Sequence, residues 1–242
     1  MALELIEIIN GILMIILCCI SISVGLKIIS TYFKNKEINY VYAGLFWIGL
    51  VCPWYPGSIS FLMYLFSGTV LTAEQYFIIG NVGAPMAITC WIAAFTGFFF
   101  KKTQKVFVGL YIIYDIIFYI LFFVALSIDP RLIGVLQGQN QIDVDYSFYM
   151  VIYYATLLIT ILITGILFAR ASIQSNNPEF KLRGYFLLIA FIFYVIGGFI
   201  DAITLADLFF LLIQRIFQIL SVLAFYVAFI LPEPVKKLIL KQ

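Results

Sequence analysis

The chain has 242 residues, of which 64% are hydrophobic and only 11% charged, with a formal net charge of +2. A soluble domain is about half apolar and about a quarter charged, so this composition excludes one and points to an integral membrane protein. There is no histidine, which removes the commonest metal ligand and the usual proton relay near neutral pH, and no cluster of cysteines or carboxylates takes its place.

Seven apolar runs, at about 8–33, 40–66, 75–100, 106–128, 147–170, 184–203 and 206–231, each reach the roughly 20 residues that span hydrocarbon. The expected fold is an all-α seven-transmembrane-helix bundle over 1–231, followed by a short basic amphipathic tail over 232–242. Lys27, Lys34 and Lys36 lie at the first connection, Lys101, Lys102 and Lys105 at the third, Arg170, Lys181 and Arg183 at the fifth, and Lys236, Lys237 and Lys241 after the seventh run. The opposite side has only Arg131, among Glu4, Glu7, Glu74, Asp129, Asp143 and Asp145. The positive-inside rule therefore predicts the N-terminus outside and the C-terminus cytoplasmic, in a multi-pass protein of the cell membrane.

The acidic start, with Glu4 and Glu7 before a long apolar run, reads as an uncleaved first span. Cys18, Cys19, Cys52 and Cys90 all fall within spans, so no disulfide framework is expected. In the second run, Pro53 and Pro56 interrupt the helix next to Trp54 and Tyr55 and predict a kink inside the membrane. In the third, Gly80, Asn81, Gly83, Ala84, Pro85 and Ala87 form a small-residue surface suited to close helix packing, with Asn81 as an interhelical hydrogen bonder or a ligand contact. The fourth run carries Asp115 near its middle, beside Tyr111, Tyr114 and Tyr119. A carboxyl there is costly when ionised, so it is expected to bond a tyrosine or to bind a proton.

The connection over 129–145 is long and mixes Gly, Gln and apolar residues, as suits a lid or a short interfacial segment. Tyr149, Tyr153, Thr156, Thr160 and Thr164 then form a hydroxyl stripe about 80° wide on the fifth helix, where threonines can bond their own backbone four residues back. Asn177 reads as an N-cap with Pro178 at the first helical position. Spacing places Tyr194, Gly198 and Asp201 on one face of the sixth helix. Thr204 to Asp207 has the spacing of a capping box for the seventh.

On that last helix Asp207, Gln214, Arg215, Gln218 and Ser221 share an arc of about 120°. A lone arginine costs about 2.5 to 3.5 kcal/mol at a helix centre in lipid, so Arg215 is expected to face the protein with Asp201 or Asp207 as partner. Gln214 and Gln218 extend the network.

At the level of helix count the topology resembles G-protein-coupled receptors and microbial rhodopsins. The motifs do not follow. No lysine in the seventh span serves a retinal Schiff base, so no cofactor is expected; the third span ends in Phe98-Phe-Phe-Lys-Lys without an acid–arginine pair, and the last lacks Asn-Pro-x-x-Tyr.

The leading functional expectation is a receptor-like sensor or ligand-binding protein. Its site would lie in the outer half of the bundle, built from Trp54, Tyr55, Asn81, Tyr149, Asp201 and Arg215, for a small apolar or anionic ligand. Basic inner loops would dock a cytoplasmic protein partner, and the bilayer is the other partner; nothing suggests nucleic acid. A secondary transporter or channel using Asp115 and the Arg215 network is the alternative, and a structural or assembly subunit a third. No nucleophile–base set or metal cluster recommends an enzyme.

Overall fold

A computed structural model describes residues 4–137, 143–203 and 208–240. Among them, seven helical stretches are long and apolar enough to cross a membrane: Leu5–Asn35, Asn39–Ser67, Ala73–Phe99, Gln104–Ile128, Phe148–Ile173, Pro178–Asp201 and Leu208–Ile230. The protein is thus a predominantly helical, multi-pass membrane protein. Its contacts gather into two compact units, Met1–Tyr154 and Ala155–Gln242.

In the first unit, α1 (Leu5–Asn35) opens on a capping box in which the Glu4 amide donates to Glu7. The next span is broken, as its prolines require: α2 (Asn39–Leu50) gives way to a 3-10 turn over Cys52–Trp54, and α3 (Tyr55–Ser67) resumes the path. Proline has no N–H for the carbonyl four residues back, and tighter turns absorb the loss. The Val51 amide turns to the Gly49 carbonyl, and the Tyr55 hydroxyl donates 2.7 Å to the carbonyl of Ile48. Gly68 ends α3 at φ +66, the left-handed conformation in which glycine is least strained. The third span is likewise two helices, α4 (Ala73–Asn81) and α5 (Gly83–Phe99), and α4 starts on a Thr72–Gln75 capping box. α6 (Gln104–Ile128) follows.

The core of this unit sits where α2 packs on α1 and α5. Two bare backbones make the α1–α2 crossing: a Cβ on Gly44 would meet the Gly25 carbonyl oxygen at 2.5 Å, and one on Gly25 would meet that of Gly44 at 2.8 Å. Gly49 faces Ala87 and the Gly83 carbonyl, and Gly83 faces the Cys52 thiol. The small-residue surface of the third span therefore lies against the broken second span, and Phe46, Trp47 and Trp91 fill the space beside it. Cys52 is used for packing, and all four cysteines are free.

The connection after α6 departs from the all-α expectation. A 3-10 turn over Pro130–Leu132 leads into β1 (Gly134–Gln137), which pairs antiparallel with β2 (Asp143–Tyr146) in the register Gly134 to Tyr146. Four-residue strands are too short for alternation to stand out in a sequence. The Ser147 amide bonds the Ile133 carbonyl and closes the hairpin onto α7 (Phe148–Ile173).

The second unit holds the rest of α7 with α8 (Pro178–Ile203), α9 (Leu208–Ile230) and α10 (Glu233–Leu240). Asn177 caps α8 as its sequence predicts, accepting from the Glu179 amide at 2.8 Å ahead of Pro178. Thr160 and Thr164 donate to the carbonyls of Thr156 and Thr160 at 2.9 and 2.6 Å, so this part of the hydroxyl stripe is satisfied within its own helix. α8 and α9 form the most extensive helix pair, with Phe191 set edge-on against Phe225.

In the first unit the first and third connections, both basic, lie close together. Asn39, beside the Lys34–Lys36 turn, packs against Gly97 near the lysines of 101–105. In the second unit Lys236 of α10 pairs with Glu179 at the start of α8.

Candidate functional site

In the second unit α9 turns its polar stripe inward: Arg215 is 3% exposed and Gln218 1%, and Gln214 and Ser221 are also buried. The Ser221 hydroxyl donates 2.7 Å to the Ala190 carbonyl and fixes α9 on α8. Above it, Arg215 Nη1 donates to Gln218 Oε1 at 2.9 Å, while Nη2 stands 3.7 Å from Asp201 Oδ1. The first distance is that of a hydrogen bond and the second that of an ion pair. Asp201 is about one-third exposed, so it is the wetter end of the pair. Gly197 makes room for the stripe, because a Cβ there would come within 2.9 Å of Gln218 Cγ and 3.2 Å of the Gln214 carbonyl.

The guanidinium can only donate, so it fixes the Gln218 amide with its oxygen toward Arg215 and its nitrogen away. That Nε2 has no hydrogen-bond partner among the described residues, and neither does Gln214 Oε1, one helical turn earlier. A buried donor on the amide that the guanidinium holds, and a buried acceptor one turn earlier on the same helix, thus lack partners among the described residues. Each open group costs about 1 to 3 kcal/mol unless something completes it. No known protein family, curated protein or solved structure matches this chain. The chemistry of the site has to be read from its own atoms.

In the first unit the expected site residues serve different tasks. Trp54 lies in the 3-10 turn and is buried. Tyr55 is half-buried and spends its hydroxyl on the Ile48 carbonyl. Asn81 is wholly buried and engaged at both ends: Nδ2 donates to the Phe77 carbonyl at 2.8 Å, and Oδ1 accepts from the Tyr154 hydroxyl at 2.6 Å. Tyr149 is half-buried, with a hydroxyl that has no hydrogen-bond partner among the described residues. Asp201 and Arg215 belong to the second unit, and Asp207 lies outside the described residues.

Asp115 is buried on α6, and its partner is Thr89 of α5, which donates to Oδ2 at 2.6 Å; its Oδ1 has no hydrogen-bond partner. A threonine takes the place expected for a tyrosine. The tyrosines beside it are used elsewhere: Tyr119 donates 2.7 Å to the Val82 carbonyl, and Tyr114 and Tyr153 stack with centroids 5.6 Å apart. The sequence carries no strong signal for the Thr89–Asp115 or Tyr154–Asn81 pairs, because each joins two helices whose mutual rotation periodicity leaves open. Among the described residues, no three His, Cys, Asp or Glu side chains gather as a metal site.

Proposed function

We propose that the protein is a receptor-like ligand-binding membrane protein, N-terminus outside and C-terminus cytoplasmic, whose ligand anchor is the Arg215–Gln218–Gln214 cluster. The observation that carries this reading is the pair of unsatisfied buried atoms on α9, Gln218 Nε2 on the amide that the guanidinium holds and Gln214 Oε1 one turn earlier. A carboxylic acid or carboxamide head carries both an acceptor and a donor, the two kinds of partner these amides lack, and the Leu, Ile and Phe that make up most of α9 suit an apolar body. The basic residues of the first, third and fifth connections and of the tail support the orientation and offer a surface for a cytoplasmic partner. Tyr55 and Asn81 already bond within the chain, which narrows the six-residue site expected from sequence to the second unit's cluster.

The test is thermal unfolding of the purified full chain in nanodiscs with a panel of medium-chain fatty acids and their primary amides. A saturable rise in midpoint that disappears in Gln218→Leu and Arg215→Leu supports the reading. If no compound shifts the wild-type midpoint, or the shift survives both substitutions, the ligand reading is wrong. A transporter is the second reading, favoured by the buried Asp115 carboxyl and the two interrupted spans. Proteoliposome flux abolished by Asp115→Asn would replace the first reading with it.

A further inference from the structure

We propose that Thr89 and Asp115 form a reversible proton-binding site in the first unit, separate from the Arg215 cluster. Three observations meet there. The carboxyl is 6% exposed within the span Gln104–Ile128. Among the described residues, one of its oxygens bonds only a neutral hydroxyl and the other has no hydrogen-bond partner. The titratable groups within electrostatic reach are Cys90 of α5, Tyr119 of α6 and Tyr153 of α7, with Tyr114 stacked on Tyr153; none carries positive charge.

A carboxylate out of water needs a cation or must become neutral. The aromatic rings leave little space: Phe118 and Tyr153 stack at 3.8 Å, and Phe118 and Phe122 at 5.6 Å. A proton is the cation that neutralises the group without a cavity. Loading adds one proton to Asp115 and breaks no other covalent bond. It also reverses a hydrogen bond. The ionised carboxylate can only accept from Thr89; a proton on Oδ2 donates to Thr89 Oγ1 across the same 2.6 Å. The Thr89 hydroxyl hydrogen then turns to the carbonyl four residues back, that of Pro85, in the manner that Thr160 and Thr164 already show. Loading is thereby communicated to α5 next to its proline.

Infrared difference spectroscopy of the full chain in nanodiscs of zwitterionic lipid, titrated from acidic to alkaline buffer, tests this. The expected result is one narrow carboxyl C=O stretch that vanishes as pH rises, is absent in Asp115→Asn, and changes frequency in Thr89→Val. The Thr89→Val protein keeps the carboxyl and removes only its hydroxyl partner, so it decides the matter even where Asp115→Asn does not fold. A band that ignores pH, survives Asp115→Asn, keeps its frequency in Thr89→Val, or follows sodium concentration at fixed pH would overturn the proposal.

Discussion

Arg183 of α8 reaches the C-terminal end of α9, where its Nη1 donates to the carbonyls of Ala228 at 2.9 Å and Phe229 at 2.6 Å. The last four carbonyls of a helix have no partner in the helix, and a cation there also meets the negative end of the dipole. Leu231, at φ +48, turns the chain away just beyond. Arg183→Leu is expected to destabilise the protein by about 1 to 3 kcal/mol. Hydrogen exchange should rise at the end of α9 and in α10 before it rises elsewhere. Unchanged exchange at 226–240 would mean that the guanidinium decorates this end without holding it.

Gly83 and Cys52 make a directly testable packing pair, since a methyl at 83 would overlap the thiol. Gly83→Ala alone should cost about 1 to 3 kcal/mol through overpacking. Combining it with Cys52→Ala removes the overlapping sulfur and should recover part of that loss in a double-mutant cycle of thermal or denaturant unfolding. Strict additivity of the two substitutions would contradict this contact.

Tyr154→Phe should leave Asn81 Oδ1 buried without its donor. The expected loss is about 1 kcal/mol, within the range for polar pairs between membrane helices. Adding Asn81→Leu removes the stranded oxygen, so the double substitution should be less harmful than the sum. A silent Tyr154→Phe would show that the hydroxyl is dispensable.

Asp129 lies outside the spans and is partly exposed, and Arg131 holds its carboxyl below the ordinary aspartate value through a side-chain hydrogen bond and the Arg131 amide. The sign follows from linkage. A carboxyl depressed in the folded state adds its stability above the unfolded value and loses it as pH falls through the folded one. Screening by water keeps the effect small. Arg131→Ala should move the Asp129 midpoint up toward the ordinary value in an NMR titration; an unmoved midpoint would assign the depression to some other group.

Features that act along one helix were legible in the sequence. Pro53 and Pro56 announce the break over Cys52–Trp54, Asn177 and Pro178 announce the start of α8, and the spacing of Arg215 and Gln218 announces a shared face. Partners across helices were not. Thr89 and Asp115 are 26 residues apart, Asn81 and Tyr154 are 73 apart, and Arg183 caps a helix 45 residues away. Such pairs depend on the depth and rotation of two helices together, which no single-helix period contains. The hairpin escaped for another reason: with four residues a side, its strands are too short for an alternating pattern to stand out.

The broken second span has a consequence for how the chain is made. Its two halves, of 12 and 13 residues, are each too short to cross hydrocarbon alone, and the whole stretch is the least apolar of the seven. Lipid by itself is a poor reason for it to stay in the membrane. Its residence depends on earlier and later neighbours: α1 through the Gly25–Gly44 crossing, and α5 through Gly49 and Gly83. During synthesis the second span should therefore settle only after the third has emerged. A nascent chain halted before residue 83 is expected to keep α1 integrated while its second span remains extractable by alkaline wash.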